Sequence, residues 1–384
     1  MTTKIVSVDD ARFIAQQRMP RMMFDFVDGA AGQEQAKRLN REAIEAIRLQ
    51  PRVLINVEQR SLKKTFLGRK WGLPFGIAPM GMCNLAWPNA DKILAEAAVV
   101  RNIPLALSTM ASSSLEDMGR WANDNAWFQL YVGQSEELAM ELVDRAMAAE
   151  YPALILTVDV PQVAPRLRDL RNGFGVPFRI GPKQFLDFAT HPRWSISTIV
   201  AGAPKFGNVT SRPESSMSNS SDQKNKGFNR NAGRGLVDWS FLERLRDRWP
   251  STLIVKGVLS PEDAQRIQKT GADAIYVSNH GGRQLDSAPP AIQMLPLVRD
   301  AVGPHYPLLF DGGIRNGESV IKALALGADF VMLGRPFLYG VGAAGKEGIR
   351  SVIELLSNEV SVTLAQIGCP NIEDIGCSVL AQAE

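Results

Sequence analysis

The chain has 384 residues, 45% of them hydrophobic, and a formal net charge of +3. This length provides for a sizeable core, in one large barrel or in two domains. The small net charge, without any block of five or six basic residues, argues against nucleic-acid binding. The mild positive bias suits anionic ligands.

The cysteine content and the hydropathy further restrict the class of protein and its cellular compartment. The three cysteines are odd in number and mostly far apart, which argues against a disulfide framework or a zinc site. No His/Asp/Glu cluster has metal-ligand spacing, so we predict no catalytic metal. The N-terminus lacks the apolar region of a signal peptide, and no run approaches the ~18 apolar residues of a spanning helix. We therefore expect a cytoplasmic protein, soluble or at most peripheral on the inner face of the cell membrane.

The first predicted element is a helical extension over residues 1–70. Its clearest signal is an apolar pattern at helical spacing in Arg12–Phe26. We expect this extension to precede a barrel that occupies residues 71–384.

From residue 73 onward, short apolar runs alternate with longer amphipathic stretches. The predicted strands are Leu73–Ala78, Pro104–Ser108, Trp127–Val132, Ala153–Asp159, Thr252–Gly257, Ala274–His280, Pro307–Gly313 and Asp329–Arg335. The predicted helices include Ser135–Glu150, Pro261–Lys269 and Gly317–Leu326. Such runs suit strands buried on both faces of a parallel sheet. Eight units predict a single α/β domain with the (β/α)8 TIM-barrel fold, over residues 1–384. A doubly wound sheet fits less well, because no early Gly-x-Gly-x-x-Gly is present.

A long insertion separates the fourth and fifth predicted strands. We expect flexibility over about residues 173–235, since Ser211–Arg234 is rich in Ser, Asn, Lys and Gly. Just before it, Phe185–Phe206 interleaves apolar residues with Lys and Arg. This segment suits a lid, a subunit contact, a membrane-surface segment or a variable loop with its own small core.

Polar residues follow nearly every predicted strand, at the edge where barrels of this kind carry their active sites. The strand ends are Pro79-Met80-Gly81, Ser108-Thr109, Gln129-Leu130-Tyr131, Thr157-Val158-Asp159, Lys256-Gly257, Ser278-Asn279-His280, Asp311-Gly312-Gly313-Ile314-Arg315 and Gly334-Arg335. One polar strand end means little, but a nearly complete set on one face indicates a functional site.

The most informative stretch is Ser278-Asn279-His280-Gly281-Gly282-Arg283-Gln284. His280 is a candidate base, the glycine pair permits a close approach to a ligand, and Arg283 suits a carboxylate. The alternative is a polar turn with a solvated arginine. Asp159 would lie level with His280 and fix its tautomer, and Arg166 is a second candidate for carboxylate binding.

The last two strand ends predict a phosphate site. Loops after strands seven and eight usually bind phosphate in this fold, and here Gly313 and Gly334 expose backbone while Arg315 and Arg335 add charge. Glycines that merely form tight turns are the alternative. Lys256, alone at the end of an apolar strand, is predicted to be buried and functional rather than a surface lysine. His191 and His305 are interpreted as structural or exposed.

With these residues assembled, the chain resembles the FMN-dependent α-hydroxy acid dehydrogenases and oxidases, a family that includes glycolate oxidase, L-lactate dehydrogenase and mandelate dehydrogenase. The likeness runs from Pro20 to Cys369-Pro370 and rests on Ser-Asn-His-Gly-Gly-Arg-Gln, Asp-Gly-Gly-Ile-Arg and Leu-Gly-Arg-Pro. The tail and the loop around His191 are most similar to bacterial lactate and mandelate dehydrogenases.

The resemblance implies FMN-dependent oxidation of an L-2-hydroxy acid to the 2-oxo acid by a homotetramer, with a quinone or oxygen as acceptor. It implies that His280 is the base, Asp159 its partner, Arg166 and Arg283 the carboxylate ligands, and Tyr131 the hydroxyl contact. The implied FMN residues are Pro79, Met80, Gly81, Ser108, Gln129, Thr157, Lys256 and Ser278, with the phosphate on Asp311, Gly313, Arg315, Gly334 and Arg335. Lys256 would favour the reduced flavin.

Three positions depart from the family pattern. Phe26 stands where a tyrosine usually contacts the substrate carboxylate, which removes a hydrogen bond of about 1.5–3 kcal/mol. Arg166 follows Val163-Ala164-Pro165 instead of a glycine-containing sequence, and Met80 replaces a smaller or polar residue. Gly81 is closer to the dehydrogenases than to the oxidases. The alternatives to a dehydrogenase are an oxygen-using glycolate or lactate oxidase type, and a catalytically altered FMN-binding barrel. Peripheral membrane contact through residues 185–230 is a further expectation.

Overall fold

Eight parallel strands close into a barrel in the computed structural model, which describes residues 4–133, 135–175, 178, 180–202, 205–210 and 233–381. The barrel strands are β3 (Phe75–Met80), β4 (Leu105–Ser108), β5 (Ala126–Leu130), β6 (Ala153–Thr157), β7 (Thr252–Val258), β8 (Ala274–Val277), β9 (Leu308–Phe310) and β10 (Phe330–Leu333). Each strand pairs with its neighbour in sequence, and β10 pairs with β3 to close the ring. The predicted fold and all eight predicted strands are confirmed, although most of the strands end earlier than predicted.

The helices that cover the barrel alternate with its strands. They are α4 (Ala90–Arg101), α5 (Leu115–Ala122), α6 (Glu136–Ala148), α11 (Trp239–Arg248), α12 (Pro261–Lys269), α13 (Ala291–Val302), α14 (Gly317–Ala325) and α15 (Arg335–Gln366). Side-chain caps begin several of them, including Ser135 on α6, Ser260 on α12 and Asn316 on α14. Because the eight strands are parallel, their C-terminal ends all lie at one face of the barrel.

The N-terminal extension is helical over its first part only. It contains α1 (Val8–Arg18), α2 (Arg21–Asp28) and α3 (Gln35–Ala46). The predicted apolar pattern in Arg12–Phe26 is divided between two helices, because Pro20 lies between them in an extended conformation (φ −51°, ψ 142°) and serves as the N-cap of α2. Helix α1 packs against α15.

The end of the extension is a β-hairpin, so the prediction of a helix there is wrong. Strands β1 (Lys64–Phe66) and β2 (Arg69–Trp71) pair antiparallel around Leu67 and Gly68. Both turn residues have positive φ, 49° and 72°, which suits the twist of a two-residue hairpin.

This hairpin closes the N-terminal end of the barrel with aromatic rings. Phe66 packs against Phe330 (ring centroids 5.3 Å apart), and Trp71 lies edge-on to Trp127 (5.9 Å). Together with Trp127 and Phe330, other buried side chains of the strands fill the barrel interior: Ala78, Ala106, Ala153, Ile155, Ile254, Ala274, Tyr276, Leu309 and Met332. The interior is therefore a packed core, and the site lies above it.

The insertion between β6 and β7 contains four short helices in its described part. They are α7 (Leu167–Asn172), α8 (Pro182–Ala189), α9 (Pro192–Ala201) and α10 (Gly207–Thr210). Trp194 of α9 is buried and donates from its indole nitrogen to the Leu85 carbonyl (2.9 Å), which fixes the hairpin of α8 and α9 to the barrel. Except for residues 233 and 234, the predicted flexible segment Ser211–Arg234 lies outside the described residues. Among the described residues, no helix has both the length and the hydropathy needed to cross a bilayer.

Candidate active site

The loop after β8 carries His280 in a strained conformation. His280, Gly281 and Gly282 have consecutive positive φ values of 58°, 62° and 77°. A Cβ on Gly282 would lie 2.5 Å from the backbone nitrogen of Lys37, so the loop passes α3 too closely for any other residue. A histidine in the left-handed region costs about 1–3 kcal/mol and persists where the surroundings fix it, often at functional sites.

His280 lies between a carboxylate and a phenol. Its Nδ1 is 3.1 Å from Asp159 Oδ1, and its Nε2 is 3.1 Å from the Tyr131 hydroxyl oxygen. Because a carboxylate only accepts hydrogen bonds, we assign the Nδ1 proton to this contact, which leaves Nε2 to accept from Tyr131. The three residues come from the ends of β8, β6 and β5, as predicted.

The surroundings of this triad keep Asp159 ionised and Tyr131 neutral. Burial raises the pKa of Asp159, but the interaction with His280, including its hydrogen bond, and the charge of Lys256 outweigh burial and hold the pKa below its ordinary value. For Tyr131, burial and the nearby Asp159 charge raise the pKa well above its ordinary value. A neutral imidazole beside a carboxylate can take up a proton at Nε2.

The two predicted carboxylate-binding arginines line the same cavity as His280. Arg283 Nη1 donates to the carbonyls of Phe26 (3.0 Å) and Gly29 (2.8 Å), at the C-terminal end of α2. Arg166 is the N-cap residue of α7 and pairs with Asp169 (3.1 Å). Burial and the charges of Arg166 and Arg335 lower the pKa of Arg283 well below its usual range. The lowered pKa means that burial and neighbouring charges destabilise the charged form of Arg283. An anion bound between these arginines would stabilise that charged form.

Phe26 forms an aromatic wall together with Phe174. Their rings stack with centroids 4.4 Å apart, and the guanidinium carbons of Arg166 and Arg283 lie 5.1 and 5.5 Å from the Phe26 ring. The apolar wall also includes Phe206, Val160, Val163 and Met110. Phe26 has no hydroxyl to offer a carboxylate, and its ring instead stacks on Phe174 and packs against the two arginines.

Sequence reasoning missed Phe174, Phe206 and Arg234, all from the insertion. The Arg234 guanidinium carbon is 4.5 Å from the Tyr131 ring centroid, and Arg234 is buried. No local motif marks these three positions, since long-range packing brings them to the cavity. The stretch Asn172-Gly173-Phe174, a helix stop followed by an aromatic residue, is the only signal that could have suggested Phe174.

Next to the triad, a buried chain of hydrogen bonds joins three predicted cofactor residues. Ser108 donates to Gln129 Oε1 (2.9 Å), and Gln129 Nε2 donates to Thr157 Oγ1 (2.8 Å). Because β4, β5 and β6 are adjacent strands, these three residues, at or next to the strand ends, form one polar ledge. The ledge offers donors and acceptors to a planar heterocycle.

Lys256 is buried and paired, so the surface-lysine alternative is wrong. Its Nζ donates to Ser278 Oγ (2.7 Å) and lies 3.2 Å from Asp311 Oδ2, and 4% of its side chain is exposed. Ser278 in turn donates to Asp311 Oδ1. The Nζ also lies 4.5 Å from the Tyr276 ring centroid, which adds a cation–π contact.

The residues predicted to bind phosphate lie where β9 and β10 end. A Cβ on Gly313 would lie 2.6 Å from the Asn40 carbonyl oxygen, so this turn requires glycine. Arg335, the first residue of α15, donates to the carbonyls of Gly281 and Gly29, 2.9 Å each. Burial and the Arg335 charge lower the pKa of Arg315. Two crowded guanidiniums beside glycine backbone suit a phosphate group.

One cavity joins all these parts. Fifteen predicted site residues line it: Phe26, Pro79, Met80, Gly81, Ser108, Tyr131, Arg166, Lys256, His280, Arg283, Asp311, Gly313, Arg315, Gly334 and Arg335. Asp159, Gln129 and Ser278 lie behind its wall and hydrogen-bond lining residues, and Thr157 hydrogen-bonds Gln129. Two other predictions concern histidines outside the cavity: His191 is partly buried beside Asp187, and His305 is exposed. Within the described ranges, no group of three His, Cys, Asp or Glu side chains could hold a metal ion.

Residues 15–382 match the family model described as FMN-dependent dehydrogenase. The chain is 40% identical over 379 residues to (S)-mandelate dehydrogenase of Pseudomonas putida, which covers 98% of this chain and 93% of that protein. It is 35% identical over 380 residues to L-lactate dehydrogenase of Pseudomonas syringae pv. syringae (strain B728a), which covers 99% of both chains.

Among solved structures, a monotopic membrane protein, (S)-mandelate dehydrogenase, superposes with a TM-score of 0.92 at 38% identity, over 99% of this chain and 100% of that one. A mandelate oxidase variant with (S)-mandelic acid superposes with a TM-score of 0.80 at 33% identity, over 96% of each chain.

The chemistry of the cavity fits FMN. The polar ledge and Lys256 offer buried hydrogen-bonding groups, and the two crowded arginines add positive charge in the same cavity. The lowered pKa of Arg315 marks a cation that burial destabilises, and a phosphate dianion would offset that cost.

Proposed function

This chain belongs to the FMN-dependent dehydrogenase family, and we propose that it oxidises an (S)-2-hydroxy acid with an aromatic side chain to the corresponding 2-oxo acid. The observation that carries the proposal is that a base and an arginine pair, His280 with Arg166 and Arg283, line one cavity. A 2-hydroxy acid carries its carboxylate next to the carbon that is oxidised. The cavity therefore offers a group for each of these two parts of the substrate.

In this proposal Arg283 and Arg166 bind the carboxylate, and Tyr131 hydrogen-bonds the substrate hydroxyl. His280 takes up a proton at Nε2, and Asp159 stabilises the imidazolium that forms, from its place 3.1 Å from Nδ1. The lowered pKa of Asp159 supports this role, because an ionised partner is required throughout the reaction. Proton uptake by a positioned base contributes typically about 10²- to 10⁴-fold to a rate.

FMN, when bound, supplies the acceptor for the two electrons that leave the substrate. We assign its ring to the wall formed by Pro79, Met80, Gly81 and Ser108, with the hydrogen-bonded Gln129 and Thr157 behind. Its phosphate is assigned to Gly313, Arg315, Gly334 and Arg335. Lys256, held by Ser278 and Asp311, places a buried cation next to the site, which favours negative charge on a bound ring.

The preference for an aromatic side chain is supported by the Phe26–Phe174 stack. Offset-stacked rings add about 0.5–1.5 kcal/mol beyond their buried area. A methyl group, as in lactate, would leave most of this wall uncovered. The P. putida relative is named for mandelate, whose side chain is a phenyl ring.

We further propose peripheral membrane contact through Phe185–Phe206, within the 185–230 segment, and a membrane quinone as the electron acceptor. Helices α8 and α9 expose five large apolar side chains, Phe185, Leu186, Ile196, Ile199 and Val200. Several large exposed apolar side chains on two neighbouring helices are typical of a partner or membrane surface. The relative that is a monotopic membrane protein is consistent with this placement on the inner face of the cell membrane.

We also propose that residues 1–384 act as one domain and assemble as a homotetramer. Support for a single domain comes from α2 of the extension, whose carbonyls accept hydrogen bonds from Arg283 and Arg335 of the barrel. Light scattering of the purified protein would measure the assembly, and a monomer mass would contradict the tetramer.

The decisive experiment is anaerobic bleaching of the purified yellow protein by (S)-mandelate, L-lactate, glycolate and longer aliphatic 2-hydroxy acids. We expect (S)-mandelate to bleach the flavin fastest. Reoxidation is then timed with air and with a quinone analogue, and rapid reoxidation by air would identify an oxidase instead. A protein that contains FMN but is bleached by none of these acids would overturn the proposed activity.

The membrane contact is tested by replacing Ile199 and Val200 with lysine and measuring co-sedimentation with vesicles of bacterial lipids. These residues are 78% and 83% exposed, so folding should be unaffected. Val100→Lys on α4, at a position 79% exposed, is the matched control. Loss of binding in the double variant alone is expected, and unchanged binding would contradict the proposal.

A further inference from the structure

We propose that Asp187 of α8 is a positioning residue for the carboxylate-binding arginines, and that it acts through α2. This inference rests on the proposed function, because it needs Arg283 and Arg166 to bind the substrate carboxylate. Asp187 lies on the outer part of the insertion, in the hairpin of α8 and α9, and belongs to no motif described above.

The first step is at the N-terminus of α2. The first backbone N–H groups of a helix have no partner within it, and a side chain at the N-cap usually accepts from them. Here the N-cap is Pro20, which has no such side chain. Asp187 takes its place from a distant segment: Oδ1 accepts from the Arg21 N–H (3.0 Å) and Oδ2 from the Met22 N–H (3.2 Å).

The second step is at the C-terminus of the same helix. Helix α2 has only eight residues, roughly 12 Å of length, so a shift at one end moves the other. Its terminal carbonyls hold Arg283, through Phe26 and Gly29, and Arg335, through Val27 and Gly29. A carboxylate at the positive end of the helix and guanidiniums at the negative end both match its dipole.

A third contact links α2 to the other arginine. Asp25 Oδ2 of α2 accepts from Asn172 Nδ2 (2.7 Å), and Arg168 of the same short helix, α7, donates to Asp25 and Asp28. Helix α7 begins directly after Arg166. The position of α2 therefore governs both arginines, and Asp187 anchors the end of α2 that the chain itself leaves uncapped.

The test compares Asp187→Ala with the native holoenzyme by steady-state kinetics and by titration with phenylacetate. Phenylacetate has the carboxylate and the ring but no hydroxyl, so it reports binding alone through the flavin absorbance. Loss of a side-chain helix cap corresponds to roughly a threefold to tenfold change in an equilibrium constant. We expect KM and the phenylacetate Kd to rise by about that factor, with kcat within about twofold and FMN content unchanged.

Two further variants separate positioning from general destabilisation. His191→Gln changes a different neighbour of Asp187, whose Nδ1 lies 2.7 Å from the Asp187 backbone carbonyl oxygen and 3.6 Å from Oδ1. It leaves α2 untouched, so its KM should stay native. Pro20→Ser in the Asp187→Ala background restores a side-chain acceptor at the N-cap and should return KM and Kd toward native values.

Unchanged KM and Kd in Asp187→Ala would overturn the proposal, and so would a rise that Pro20→Ser fails to reverse. If Asp187→Ala does not fold, Asp187→Asn keeps one acceptor oxygen and should give a smaller rise of both constants. Failure of the proposed function is distinguishable, since the native protein would then bind phenylacetate or FMN without being bleached by any 2-hydroxy acid.

Discussion

The proton-transfer side of the cavity and the carboxylate side are built in different ways. His280, Asp159 and Tyr131 come from three strand ends of one barrel, which hydrogen-bonded neighbours hold in register. Arg283 and Arg166 depend instead on α2 of the extension and on α7 of the insertion. The first side therefore follows from the barrel itself, whereas the second exists only when three separate segments pack together. Substitutions on the proton-transfer side should lower kcat, and substitutions on the carboxylate side should weaken substrate binding or folding.

The largest effect is expected from His280→Gln. Without the base, kcat should fall by about 10²- to 10⁴-fold, because the variant lacks the imidazole Nε2 that accepts the proton. FMN content, read from the visible absorbance, should stay native and serves as the control. Turnover within tenfold of native would contradict the assignment of the base.

On the carboxylate side, Asp28→Asn should cause the largest loss of stability. Asp28 accepts from Arg12 (2.7 Å), Lys37 (3.2 Å), Arg168 (2.8 Å) and Tyr339 (2.7 Å). Removing one partner of a buried ion-pair network costs about 3–5 kcal/mol. Denaturant unfolding at neutral pH measures this loss, and the barrel-side variant His280→Gln should change little by comparison.

The loss of folding stability in Asp28→Asn should depend on pH in a defined direction. Burial raises the pKa of Asp28, but the hydrogen bonds of Arg12 and Tyr339 and the charge of Lys37 hold it far below its ordinary value of 3.8. A carboxyl with a lowered pKa stabilises the fold fully above the ordinary pKa, and that contribution is lost as pH falls below it. The difference between native protein and Asp28→Asn should be constant above about pH 5 and shrink below about pH 4. A difference that grows on acidification would contradict this.

Arg283→Met should act on binding more than on rate. Hydrogen bonds to charged groups contribute about 1.5–3 kcal/mol, so KM for the 2-hydroxy acid should rise by roughly 10- to 100-fold. The native and variant kcat at saturation should differ much less than they do for His280→Gln. A fall in kcat as large as that of His280→Gln, with an unchanged KM, would contradict a binding role and indicate that Arg283 acts in proton transfer.

The smallest effect is expected from Phe174→Leu, and it should be selective. Loss of the stack against Phe26 corresponds to about 0.5–1.5 kcal/mol, or roughly a twofold to tenfold rise in KM for (S)-mandelate. KM for L-lactate should stay unchanged, because a methyl group does not reach the stack. Phe188→Leu, which removes a ring stacked on Trp194 outside the cavity, is the matched control. Equal changes for both acids would contradict the proposed aromatic wall.

The same division explains how far the sequence predicts this molecule. Residues such as His280, Lys256 and Asp311 directly follow short buried runs, and parallel strands bring their ends together, so the barrel and its polar edge were predictable. The hairpin at residues 64–71 was missed, because three-residue strands around Leu67 and Gly68 give little periodic signal. Phe174, Arg234 and Asp187 were missed because their partners lie more than a hundred residues away in sequence. Phe206 was missed because packing between distant segments of the chain brings it to the cavity.

The aromatic closure at the other end of the barrel has a kinetic consequence. Phe66 and Trp71 close the N-terminal end, so a molecule that reaches the cavity enters and leaves at the C-terminal ends of the strands. The hydroxy acid, its oxidised product and the electron acceptor then share one passage. Product should depart before the acceptor arrives, and initial rates measured at several acceptor concentrations should give parallel double-reciprocal lines.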